Sequence, residues 1–258
     1  MRRLIVVLLV AALFSLAGCS SSPQKKVKGG DLKQDPAAVN TQLGIEYMRN
    51  GMYDTALEKF KKALRENPRL QAAHASIAIL YEQLGETDDA AKHYRKAYRL
   101  NPDDPVNLNN YGQFLCRQGE LEKADEMFLR ALKDPLYRYP EAVLTNAGIC
   151  AMKKPDMEKA EKYFRAALKR SKSYVPALRN MIRVSFAEKK YLATRAYLQR
   201  LQAVQPLTPE LLWIGVQTEN EMGDRHAVSS YSMLLKNKYP ESEEAQKLVE
   251  WERKSNGR

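Results

Sequence analysis

From Ala37 onward, small and aromatic apolar residues recur at fixed intervals among lysines, arginines, glutamates and aspartates. Gly44, Tyr47, Ala56, Phe60, Ala63 and Pro68 are followed 34 residues later by Ala78, Tyr81, Ala90, Tyr94, Ala97 and Pro102. A third unit offers Gly112, Leu115, Ala124, Phe128 and Ala131; a fourth, displaced two residues further by Asp134-Pro135-Leu136-Tyr137, offers Gly148, Ala151, Ala160, Phe164 and Ala167. The fifth follows with Met181, Ser185, Thr194, Leu198, Leu201 and Pro206, and the sixth with Gly215, Glu219, Val228, Ser232, Leu235 and Pro240. Apolar positions three and four apart predict helices, two per unit. Gly51, Gly85, Gly119 and Gly223 fall in the turns between them, where a positive φ costs glycine little, and Pro68, Pro102, Pro206 and Pro240 stop each second helix. The predicted units are 37–70, 71–104, 105–140, 141–174, 175–208 and 209–240. In the remaining segment, 241–258, Ala245, Leu248, Val249 and Trp251 stand among charges and predict an amphipathic cap; its short length and high charge disfavour a membrane helix.

The spacing resembles the tetratricopeptide repeat and predicts an all-α fold, a right-handed superhelical solenoid of six helix-turn-helix units closed by a C-terminal capping helix. The Gly or Ala at the eighth place and the Ala at the twentieth mark where the two helices of a pair approach closely. The aromatic residues Phe60, Tyr94, Phe128 and Phe164 are expected to fill the gap between neighbouring pairs. A single unit leaves an apolar face uncovered, so the units must stack.

The beginning of the chain has a different chemistry. Arg2 and Arg3 precede an apolar stretch from Leu4 to Ala17, too short to span a bilayer, and this predicts an export signal over residues 1–18. The stretch ends in Leu16-Ala17-Gly18-Cys19, which resembles the lipobox of bacterial lipoproteins; an ordinary cleaved signal with an incidental cysteine is the alternative. The lipobox implies a covalent lipid on Cys19 and a chain anchored to a membrane without spanning it. By resemblance to the lipoprotein sorting rule, Ser20 points to the periplasmic face of the outer membrane of a Gram-negative cell. Residues 19–36 are polar and rich in Ser, Lys, Gly and Pro, a flexible tether of roughly 20–25 Å r.m.s. span.

The formal charge of +11 raises a nucleic-acid reading, but export argues against it and the cations are spread among glutamates along helices. Neither a phosphate loop nor a nucleophile elbow or metalloprotease helix occurs, and His74, His93 and His226 lack metal-ligand spacing. No catalytic residue, metal, small-molecule substrate or cofactor beyond the Cys19 lipid is expected, which makes this a protein-binding scaffold. Cys116 and Cys150 lie late in the first helices of consecutive units; either a disulfide or two separate small core residues would suit them.

In such a solenoid the first helix of each unit lines the concave face. Units three to five present Asn109, Asn110, Gln113 and Arg117, then Thr145, Asn146 and Lys153, then Arg179, Asn180 and Arg183. Asn110, Asn146 and Asn180 share the sixth place, a ladder of amides suited to a peptide backbone, with Arg179 and Arg183 as cationic forks. Ordinary solvated asparagines are the plainer reading. Units one and two offer Ile45, Met48 and Ile79, an apolar stretch suited to an amphipathic or hydrophobic peptide, or else simply a cover for the first pair.

The lipobox, the tether, six units, the segment Leu108-Asn109-Asn110-Tyr111-Gly112, the loop Asp134-Pro135-Leu136-Tyr137 and the terminal helix together resemble the type IV pilus biogenesis and stability lipoproteins, the PilF/PilW family. That resemblance implies a pilotin, a lipoprotein that helps the pilus secretin subunit reach the outer membrane and assemble, with units one to four as its contacts. A repeat lipoprotein docking peptidoglycan enzymes or the barrel-assembly machinery is the alternative.

Overall fold

The structure, a computed structural model, describes residues 35–154 and 156–256. The leader, Cys19 and the tether up to residue 34 lie outside them. Among the described residues there are thirteen helices and no strand. They pair as α1 (Pro36–Arg49) with α2 (Tyr53–Glu66), α3 (Gln71–Gln83) with α4 (Thr87–Leu100), and α5 (Pro105–Arg117) with α6 (Leu121–Ala131). The series continues with α7 (Pro140–Lys153) and α8 (Met157–Arg170), α9 (Val175–Ala187) and α10 (Tyr191–Gln202), and α11 (Pro209–Glu221) and α12 (Arg225–Lys238). Each first helix starts within one residue of the start expected from the repeat. The last helix, α13 (Glu243–Asn256), lies against α11 and α12 where a seventh pair would begin, with Trp251 edge-on to Trp213.

Helix ends follow local chemistry. Asp104, Asp156 and Asp224 cap α5, α8 and α12, each accepting a backbone N–H three residues on at 2.8, 3.0 and 3.0 Å. Proline opens α7 and α11 at Pro140 and Pro209. Gly51, Gly85, Gly119 and Gly223 have φ of 74–80° in the turns between paired helices. In the fifth unit Lys189 occupies the same place with φ 57°, the one described non-glycine residue with positive φ.

Inside a pair, the second helix lays a ring on the first helix where the first has no side chain. A Cβ built on Gly44, Gly112 or Gly148 would fall 2.5, 2.8 or 2.5 Å from the ring of Phe60, Phe128 or Phe164. These rings therefore occupy the seam within their own pair, besides any part they take between pairs. In the sixth unit the ring is Tyr231, not Ser232, set against Gly215 at 3.0 Å. Glycine and ring have both moved one place ahead of the repeat, which keeps the 16-residue separation between them. The rings are buried, as are Ala56, Ala90, Ala124 and Ala160.

The third and fourth units are joined differently. Helix α6 is cut short at Ala131, and residues 132–139 run as turns and bends with Leu136 and Tyr139 exposed. Across this junction the structure bonds Cys116 of α5 to Cys150 of α7, with Cα atoms 5.8 Å apart. Closing a loop of this length stabilises the fold by about 4 kcal/mol in the chain-entropy account.

Two substitutions probe these contacts. Gly148→Val drives methyl groups into the Phe164 ring, and overpacking of this kind lowers stability by about 2–3 kcal/mol; the expected readout is a lower urea midpoint with helical content retained below the transition. Lys189→Gly relieves a left-handed conformation worth about 1 kcal/mol for a residue with a Cβ, so its thermal midpoint should rise by a few degrees.

Candidate partner-binding groove

The first helices of successive units lie side by side, α5 against α7, α7 against α9 and α9 against α11. Places two, five, six, nine, twelve and thirteen of each unit therefore form a continuous strip. Polar side chains in it bond across units. Asn146 Nδ2 donates to Asn109 Oδ1 at 2.9 Å, and Lys153 Nζ donates to the carbonyl of Cys116 at 3.1 Å. The second contact places a cation on a carbonyl in the last turn of α5 that also accepts the Gly119 N–H, where the helix dipole favours it.

The cations of the strip are also engaged. Arg117 Nε donates to Glu82 Oε1 at 2.5 Å, and the other oxygen of Glu82 accepts from the buried Tyr94 hydroxyl at 3.1 Å. Arg183 forks onto both oxygens of Glu210 at 2.8 and 2.7 Å, and each partner holds the other charged, the arginine pKa raised and the carboxyl lowered. Both side chains of that pair are over 40% exposed, so it contributes at most about 1 kcal/mol. It remains open to exchange with an incoming carboxylate. Glu82 and Glu210 stand at the twelfth and second places and so belong to the same strip; reading only amides and cations passed over them. Ile149, at the ninth place like Ile45 and Ile79, was also passed over and is exposed.

Not every expected residue faces the groove. Thr145 is buried, its hydroxyl donating to the Glu141 carbonyl at 2.8 Å, since a hydroxyl can satisfy itself on its own helix. The sixth-place amides differ in their bonding. Asn180 donates to the Pro176 carbonyl at 2.9 Å and Asn146 to Asn109, while the Asn110 side chain makes no hydrogen bond among the described residues. Gln113 reaches its own Asn109 carbonyl at 3.5 Å, and Arg179 Nε is buried without a partner among the described residues. Ile45 and Met48 are half-buried on the cluster of Phe60, Ile77 and Leu80, and Ile79 packs beside Tyr94 and Leu108, so each offers part of its surface.

One polar cluster could not be read from spacing. His74 on α3 and His93 on α4 bring their Nδ1 atoms to 3.0 Å, and His74 Nε2 lies 3.1 Å from the Pro68 carbonyl. If Nε2–H of His74 donates to that carbonyl, its Nδ1 accepts from His93 Nδ1–H, so the His74 ring is neutral. Burial is the main cause that holds both pKa values down, His93 to about 4 with His74 as the next contributor. Among the described residues no three His, Cys, Asp or Glu side chains form a group that could hold a metal ion. No described helix is long and apolar enough to cross a membrane.

Paired helices, glycine-and-ring seams and a strip of first helices define a tetratricopeptide scaffold, and the tetratricopeptide repeat model matches residues 41–105 and 112–175, with a second such model over 83–135. The chain is 30% identical over 237 residues to the type IV pilus assembly protein PilF of Pseudomonas aeruginosa, spanning 90% of this chain and 93% of that protein. The crystal structure of PilW, a widely conserved type IV pilus biogenesis factor, superposes with a TM-score of 0.74 at 30% identity, covering 83% of this chain and 98% of that one. A structure of Pseudomonas aeruginosa PilF gives a TM-score of 0.74 at 28% identity, covering 83% and 96%. The chain belongs to the PilF/PilW family of tetratricopeptide-repeat type IV pilus biogenesis proteins.

The histidine pair sets a pH dependence of stability. The folded state holds the rings neutral while the unfolded chain takes up protons near pH 6.5, so the stabilisation is complete above that pH and is lost as pH falls towards about 4. The thermal midpoint should drop between pH 7 and 4.5, and His93→Gln should flatten that drop. An unchanged slope in the variant would show that the pair is not its source.

Proposed function

We propose that this protein is a pilotin: an outer-membrane lipoprotein that binds the type IV pilus secretin subunit and promotes its localisation and assembly into multimers. The observation that carries the reading is the near full-length correspondence to PilF, a type IV pilus assembly protein, supported by PilW, a pilus biogenesis factor. The lipobox ending in Cys19 is consistent with an anchor on the same chain. In this mechanism the lipid supplies an address and the solenoid supplies affinity. A secretin segment lies along the first-helix strip, its carboxylates competing with Glu82 and Glu210 for Arg117 and Arg183, its backbone meeting Asn110, and its apolar side chains meeting Ile45, Met48, Ile79 and Ile149. Holding the subunit by an anchored protein raises its effective concentration at the membrane, which favours ordered assembly over aggregation. The role is that of a scaffold and calls for no bond-making or bond-breaking step.

The test is a deletion strain assayed for heat-resistant secretin multimers in separated inner and outer membranes, complemented with wild-type or Cys19→Ala copies. The expected result is loss or misplacement of multimers, rescued by the wild-type copy and not by Cys19→Ala, which should also fail to incorporate labelled palmitate. Normal multimers in the outer membrane of the deletion strain would overturn the reading in favour of an adaptor for peptidoglycan enzymes or barrel assembly.

A further inference from the structure

A second concavity lies away from the first-helix strip, between the second helices of units two and three. It is a cavity of about 400 Å³ walled by α4 and α6 and floored by α5. Tyr111, Leu115 and Met127 supply an apolar floor, the first half-buried and the other two buried. Its size, within the range of ligand clefts, leaves room for one large side chain from a partner. Tyr98, on the wall, is fixed by Arg130, which donates to its hydroxyl and also holds Asp103 at 2.8 Å.

The rim is cationic. Arg95 and Arg99 stand one turn apart on α4, both exposed and both lining the cavity. Like charges at that spacing repel. Of the other cations nearby, Lys92 is paired with Asp89 at 2.8 Å and Lys123, on the opposite wall, with Glu120, while Lys96 makes no ion pair among the described residues and does not line the cavity. Arg95 and Arg99 make no ion pair among the described residues, and Glu126 is the single carboxylate among the lining residues. Two free guanidinium forks above an apolar floor match a ligand that carries carboxylates beside a large apolar group. A bilayer surface is a poor match, because it is engaged by protruding apolar side chains and this site is recessed.

We propose that this cavity binds an acidic protein segment, seating one large apolar side chain on Tyr111, Leu115 and Met127 while flanking carboxylates engage Arg95 and Arg99. The site is separate from the first-helix strip and stands or falls independently of the secretin reading.

The probe is a fluorescein-labelled twelve-residue peptide with a central phenylalanine flanked by glutamates, titrated by anisotropy against the full chain. The expected result is saturable binding that weakens at least tenfold in the Arg95→Glu/Arg99→Glu double variant. Lys61→Glu, a charge change of the same kind on α2 outside the cavity, should leave the affinity within about twofold. Replacing phenylalanine by serine in the peptide should weaken binding by a similar factor to the double variant. All substituted residues are exposed, and circular dichroism of each variant separates loss of the site from loss of the fold. Absence of saturable binding, equal weakening by Lys61→Glu, or equal affinity for the serine peptide would overturn the proposal. Binding to phosphatidylglycerol vesicles, lost in the double variant while the peptide does not bind, would assign the arginines to lipid and overturn it also.

Discussion

The architecture depends on the absence of a side chain at one position of each first helix in units one, three, four and six. Because Gly44, Gly112, Gly148 and Gly215 carry no Cβ, the facing ring of the second helix can lie directly on the backbone. That contact sets the separation of a pair, and the pair's shape sets how the next pair docks. The remaining packing follows in sequence, since the helices touch their neighbours in the chain and the neighbouring first helices and little else. A solenoid of this kind has no central core to absorb an error made in one seam.

The same neighbour-only geometry accounts for the polar surface. A residue on a first helix sees its counterpart one unit away, and most of the cross-unit bonds in the strip join such residues: Arg117 with Glu82, Asn146 with Asn109, Lys153 with Cys116, Arg183 with Glu210. Arg195 and the buried Glu219 join α10 to α11 on the same principle, with Asp224 as a second acceptor for the guanidinium. The strip is thus laced by exchangeable polar contacts over a rigid apolar seam. Such a surface can give up an internal partner for an external one without disturbing the fold beneath it.

Much of this was legible in the chain because the determinants are local and periodic. Gly44 with Phe60, Gly112 with Phe128 and the turn glycines each announce themselves by residue type at a fixed distance, and the helix starts followed to within one residue. The frame failed where a pair of residues moved together. Tyr231 took the place expected of Ser232 because Gly215 had moved with it, so the contact survived while the count did not. The strip was legible as a face and not as a set of bonds. Helical place tells which way Arg117 or Arg183 points, but the carboxylates that hold them are 35 and 27 residues away and are selected by stacking. Thr145 was misplaced for a related reason, because a hydroxyl has a short reach and can be satisfied by its own helix. The contact of His74 with His93 joins residues 19 apart on two helices, a spacing to which no metal or catalytic pattern draws attention.

The fourth unit has a position that its sequence alone would not distinguish. Val143, Ala147 and Cys150 of α7 belong to the apolar cluster that runs back to Ala78, whereas Ala160, Phe164 and Ala167 of α8 belong to the cluster that runs forward to Leu248. The pair is therefore shared between front and rear, with Leu144, Ala151 and Met152 of α7 also packed on the rear cluster and Tyr163 of α8 on the front one, and the disulfide fastens α7 to the unit before it. In a chain governed by nearest neighbours this makes the fourth unit the link between the two clusters. Any loosening of the rear half must lift Phe164 off Gly148, so the seam between α7 and α8 is the contact through which the two halves hold each other.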